Sequence, residues 1–110
     1  NTSLGEGWGL VSFEQAACKV PQIVPNYSAC PEIFEGAAQM LPIRQRLTAP
    51  AINTEGGLVH EDDVAEALEW TYNNREAAAA NAETMYNRLK EPRFNWDTVA
   101  AQFKNELDTL

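Results

Sequence analysis

Basic side chains are scarce in this sequence, and scarcest over its first forty residues. Eight Lys and Arg stand against sixteen Asp and Glu, for a net charge of −8. Lys19 is the only base among residues 1–43; the rest are Arg44, Arg46, Arg75, Arg88, Lys90, Arg93 and Lys104. A nucleic-acid surface neutralises phosphates with clustered Lys and Arg, and no such cluster is present. Nucleic acid and anionic membrane are therefore not expected as partners. Long apolar runs are missing too: none approaches the roughly 20 residues that span a bilayer, and no signal peptide is recognisable. Only two cysteines occur, Cys18 and Cys30, without metal-ligand spacing. They read as buried free thiols in a reducing, cytoplasmic setting, and no metal is expected. There is no internal repeat. The chain opens at Asn1 inside a turn-rich stretch, which reads as a piece cut from something longer.

What is present fits one soluble α/β domain at most. The stretch "GEGWGLVSFE", Gly5 to Glu14, places three glycines in five positions, with Glu6 among them and Glu14 beyond. The following "LVSFEQAACK" predicts a short helix with Ser12 as a cap near its start and Phe13, Ala16 and Ala17 on one face. Pro21 breaks that pattern, and "QIVP" (residues 22–25) reads as a buried strand. "NYSACPEIFEG" predicts a turn and a short helix, with Pro31 at its first position and Gly36 at its end. "AAQMLPI" (residues 37–43) is a second strand candidate.

Residues 44–57, with Pro50, Gly56 and Gly57, show no periodicity and read as an exposed loop, with a brief extended segment at Leu58–Val59. Three helices are predicted beyond it. Residues 61–74 carry a stripe of Val64, Ala67, Leu68, Thr71 and Tyr72. Residues 75–89 align Ala78, Ala82, Met85 and Leu89. Residues 96–110 align Trp96, Val99, Ala100, Phe103 and Leu107, with Asn95 as the cap. Trp70 and Trp96 are expected to pack. His60 beside Glu61, Asp62 and Asp63 reads as helix-start chemistry rather than a metal site, because consecutive acids converge poorly on one ion. Glu32 reads likewise as a helix-start residue. Two good strands and one weak one are too few for a doubly wound sheet. Either the chain is the second half of a domain, or it completes its sheet with a partner chain or a second copy of itself.

The glycine turn leads into a helix whose first-turn N–H groups have no intrahelical partner, an arrangement suited to an anion. Gly7 and Gly9 permit close approach of a ligand, and Leu10 and Val11 present free amides. The pattern fits neither the dinucleotide fingerprint nor the phosphate loop ending in Gly-Lys-Ser/Thr. Carboxylates are poor phosphate ligands but good acceptors for neighbouring hydroxyls. Glu6 and Glu14, flanking the anion site, therefore suit a molecule with diols at both ends and phosphate between, a nucleotide sugar. The competing reading makes Glu6 a turn residue and Glu14 a solvated helix residue. Trp8 would either pack under the loop or line the cleft.

The residues Glu6, Gly7-Trp8-Gly9-Leu10, Glu14, Ala16-Ala17-Cys18, Pro21 with Ile23-Val24, and Pro31-Glu32 resemble a known signature. It is the donor-binding pattern of retaining glycosyltransferases with the GT-B fold, the glycosyl transferases of group 1. "GGLVHEDDVAEALEW" and "RFNWDTVAAQFKNEL" resemble that family's later segments, and the likeness is weakest over residues 44–57. The resemblance implies a partial Rossmann-like (GT-B C-terminal) domain, with few parallel strands followed by a helical C-terminal segment. Residues 1–43 would then hold the donor-site motif and strands, 44–57 a loop, and 58–110 a mainly helical part. It also implies roles. Glu6, Trp8 and Gly9 would meet the donor sugar, the backbone of Gly9, Leu10 and Val11 the pyrophosphate, and Glu14 the ribose. The nucleotide-diphosphate sugar would be the substrate, with no cofactor. Lys19 departs from the family's usual glycine, so a left-handed turn there would be held by a non-glycine residue. The family's basic and acceptor-side residues lie upstream of this signature, so the implied partner is a missing N-terminal half, and the chain alone would be inactive.

Overall fold

The computed structural model describes residues 1–50 and 53–109. The order is helix α1 (Leu10–Ala17), strand β1 (Ile23–Pro25), helix α2 (Cys30–Phe34), strand β2 (Gln39–Leu41), strands β3 (Gln45–Ala49) and β4 (Thr54–Leu58), then helices α3 (Glu61–Asn73) and α4 (Arg75–Arg88). A 3-10 turn at Pro92–Phe94 precedes the last helix, α5 (Trp96–Asp108). The architecture is α/β: a small parallel sheet with its helices, followed by a helical C-terminal segment, as in part of a Rossmann-like domain.

β1 and β2 pair in parallel, with Ile23 opposite Gln39, Val24 opposite Met40 and Pro25 opposite Leu41. Parallel strands need a crossover between them, and α2 supplies it. Pro31 sits in the first turn of α2, where its missing N–H costs nothing. Gly36 follows that helix at φ 72°, a left-handed position that glycine adopts without strain. The Arg88 guanidinium donates to the Ile33 carbonyl at 2.8 Å, tying α4 to the end of α2.

The core is formed by Ala16, Val24, Cys30, Ile33, Phe34, Ala37 and Met85. Alanines at 78 and 82 let α4 lie close, and both are buried beside Met85. This is the stripe the sequence predicts for that helix. α3 places only Ala67 and Asp63 inside; Leu68 and Tyr72, expected on its inner face, are exposed. His60 caps α3 by accepting from the Asp62 N–H at 3.3 Å. The Arg44 guanidinium grips Asp63 through both carboxylate oxygens, with Nε to Oδ2 at 2.7 Å.

Several expectations are corrected. Residues 44–57, expected as a loop, carry the antiparallel hairpin β3–β4, with Gln45 opposite Leu58 and Ala49 opposite Thr54. Its strands alternate polar and apolar weakly, because both faces are largely open. The tip at residues 51–52 lies outside the described residues. Ser12 does not cap α1; it is buried within the helix, and Gly9 occupies the cap position without a side-chain bond. Cys30 is buried as expected, but Cys18 is exposed. Trp96 does not pack: it is 84% exposed, at the head of a helix with no buried residue. The Asn95 cap of α5 is as predicted, its Oδ1 accepting from Asp97 N–H at 2.8 Å and Thr98 N–H at 3.3 Å. The whole is flat, with principal extents of 51, 41 and 17 Å.

Candidate functional site

Gly9 is the pivot of the glycine turn. It holds φ 81° and ψ 49° and hands the chain directly to Leu10, the first residue of α1. That left-handed conformation explains a glycine there; a Cβ would pay a backbone penalty even with room around it. The first cap bond runs from Phe13 N–H to the Gly9 carbonyl at 3.0 Å. The amides of Leu10, Val11 and Ser12 precede it and find no carbonyl within the helix. Leu10 and Val11 are exposed, so the helix end opens outward.

Beneath the turn, Trp8 joins an edge-to-face triad. Its ring centroid lies 5.6 Å from Phe13 and 5.8 Å from Phe94, which are 5.3 Å from each other. Trp8 thus supports the loop and, at 41% exposed, also lines an apolar cleft with Leu10 and Trp96. Neither Glu6 nor Glu14 lines that cleft.

Two clefts adjoin along α1, sharing Val11 and Gln15. One, of about 520 Å³, includes Glu6, Val11, Ser12, Gln15 and Ile23 in its wall. The other, of about 530 Å³, is lined by Val11, Glu14, Gln15, Cys18 and Val20. Glu6 and Glu14 therefore do not share one cavity. They line two clefts that have Val11 and Gln15 in common, while Gly9 and Leu10, at the uncapped helix end, line neither. No lining residue of either cleft is basic. Lys19, the one base nearby in sequence, is drawn away to α4, where its ammonium meets Glu83 at 2.7 Å and stacks on Tyr86. It also holds φ 58°, the left-handed turn foreseen for a position where glycine is usual.

The loop bearing Glu6 is fastened from the opposite side. The Ser28 hydroxyl accepts from the Glu6 N–H at 3.2 Å and donates to the Glu6 carbonyl. The Ala29 N–H also donates to that carbonyl, at 3.3 Å. Ser28 achieves this at φ 58°. Burial first, and then the Glu6 carboxylate, push the Cys30 thiol up, which keeps that buried sulfur unreactive. Sequence reasoning missed Ser28 and Gln15. The turn chemistry of "NYS" marks a turn, but nothing in it says that the serine clips a loop 22 residues away.

Among the described residues, no three His, Cys, Asp or Glu side chains gather as a metal site would require, and no helix is long and apolar enough to cross a membrane. A comparison with curated proteins gives no match. A family model does match: GT4-conflict, the family 4 glycosyltransferase in conflict systems, over residues 1–103. That span contains the glycine turn, both clefts, the hairpin and most of α5. The chain belongs to this glycosyltransferase family.

Proposed function

We propose that this chain is the donor-binding part of a retaining glycosyltransferase of the GT-B kind, acting on a nucleotide-diphosphate sugar. One observation carries the reading: the Glu6 cleft and the Glu14 cleft share Val11 and Gln15 of α1, and Val11 stands in the uncapped first turn of that helix. A ligand with hydroxyls at its two ends and a pyrophosphate between them matches that order. Glu6, Trp8 and Gly9 take the sugar, the backbone of Gly9, Leu10 and Val11 takes the phosphates, and Glu14 takes the ribose. In glycosyl transfer the bond from the sugar's anomeric carbon to the phosphate oxygen breaks, and the acceptor oxygen bonds that carbon on the same face. The leaving diphosphate gains charge as this happens, and fixed amides aimed at it stabilise that charge without reorganising. The bases and acceptor groups that complete such a site are not among the residues here, so the chain by itself is expected to lack turnover.

Calorimetry with uridine and guanosine diphosphates tests this reading. Wild type should bind one of them, and Glu14→Ala should weaken it at least about tenfold, as loss of charge-assisted hydrogen bonds does. Unchanged binding in Glu14→Ala would remove the ribose assignment. A second reading, a self-associating module without catalysis, is favoured by one observation: Trp96, Phe103 and Leu107 are all exposed on α5. Light scattering decides it, since a clean monomer of 12.2 kDa argues against that reading.

A further inference from the structure

The hairpin β3–β4 falls where the sequence least resembles the group 1 glycosyltransferases, yet it is seated against the donor loop with close contacts. The Gly57 N–H donates to the Leu4 carbonyl at 2.7 Å. The Tyr27 hydroxyl donates to the Glu55 carbonyl at 2.9 Å. The docking leaves no room for a side chain at Gly57 and little at Gly56. A Cβ on Gly57 would lie 2.9 Å from the Tyr27 ring and 3.1 Å from Ile43, and one on Gly56 would lie 3.1 Å from the Leu4 Cβ. Gly56 is thus close against Leu4, two residues before Glu6, and Gly57 against Tyr27 and Ile43. A hairpin that merely covered surface would not require backbone to approach so closely.

A third cleft, of about 670 Å³, lies between the hairpin and the loop; Glu6 lines it as well as the cleft beside α1, and its walls also include Ser28, Leu47, Thr48, Thr54 and Glu55. It offers two carboxylates, the hydroxyls of Thr48 and Thr54 and an apolar leucine surface, and no basic residue lines it. Arg46, the nearest base on the hairpin, is paired with Glu55 at 3.2 Å. Hydroxyl acceptors and donors beside an apolar patch suit a neutral sugar ring, while an added carboxylate on that ring would meet Glu6 and Glu55 without a compensating base.

We infer that the β3–β4 hairpin forms the second wall of the donor-sugar subsite, with Thr48 and Glu55 as specificity-determining residues that admit a neutral hexose and reject a uronic acid. The inference rests on the donor reading above, and it adds the class of sugar and the residues that choose it.

Calorimetry on the full chain separates the two. The probes are uridine diphosphate, guanosine diphosphate, UDP-glucose, GDP-mannose and UDP-glucuronic acid, with wild type, Thr48→Val and Glu55→Gln. Thr48 and Glu55 are exposed, so these near-isosteric changes leave the fold in place, which a thermal melt verifies. Wild type should bind a neutral hexose conjugate at least tenfold tighter than UDP-glucuronic acid. Thr48→Val should weaken the hexose conjugate about tenfold and leave the bare diphosphate within twofold. Glu55→Gln should narrow the gap to UDP-glucuronic acid. If wild type binds no diphosphate and no conjugate, the donor reading fails and this inference falls with it. If wild type binds but Thr48→Val and Glu55→Gln move neither affinity, or move diphosphate and conjugate alike, the hairpin's role is overturned while the donor reading stands.

Discussion

Gly9 shows how one backbone angle can set the start of a helix. At φ 81° it starts α1 without any side-chain cap, so no cap side chain meets the first amides. Gly9→Ala should cost about 1–2 kcal/mol of stability, the usual penalty for a Cβ in the left-handed region, and thermal denaturation would register it as a lowered midpoint. Its Cβ would meet nothing closer than 3.9 Å, so the loss would be conformational rather than steric. The identity of this turn was legible in the sequence because glycine spacing and flanking acids survive as letters. The clip from Ser28 was not. A serine at φ 58° looks like any other turn serine, and its partner sits across the fold. Cys18 was misread for a related reason: alanine-rich surroundings suggest burial, but α1 turns that end of itself outward.

At the level of elements, the join between the sheet and α3 depends on Arg44 and Asp63. The guanidinium holds the Asp63 carboxyl below its ordinary value of 3.8, chiefly through the hydrogen bond and then through charge. A carboxyl lowered on folding stabilises the native state at pH values above its unfolded pKa, and that contribution is lost as pH falls through the folded one. Arg44→Gln should therefore lower the melting temperature at pH 7, and the gap to wild type should close in melts taken progressively below pH 3.8. α5 behaves differently. Its cap is good but it buries nothing, and a helix of this length is marginal alone in water. Asn95→Ala should remove about 1 kcal/mol of capping, seen as lost helical circular dichroism with little change in the main unfolding transition. Helical periodicity made α4 and α5 equally legible, because both carry apolar stripes. Only packing distinguishes them: Ala78, Ala82 and Met85 meet the core, whereas Trp96, Phe103 and Leu107 meet solvent. The hairpin escaped detection because its strands are short, only weakly alternating and interrupted by two glycines, which weakens any period of two.

The molecule as a whole is more spread out than its length suggests. Its radius of gyration is 16.3 Å, against about 13 Å for a compact domain of this size. One core cluster gathers around Phe34 and Met85, while the hairpin and α5 extend from it. The two-stranded parallel sheet is the same shortage of strands that the sequence displays, now with coordinates. A plate 17 Å thick is wetted on both broad faces, and this shapes its thermodynamics as much as its binding. Little apolar surface remains to be exposed when it unfolds, so the heat-capacity increment should fall below the usual 12–15 cal/mol/K per residue, roughly. Differential scanning calorimetry would then trace a shallow, broad stability curve, nearly level between cold and warmth.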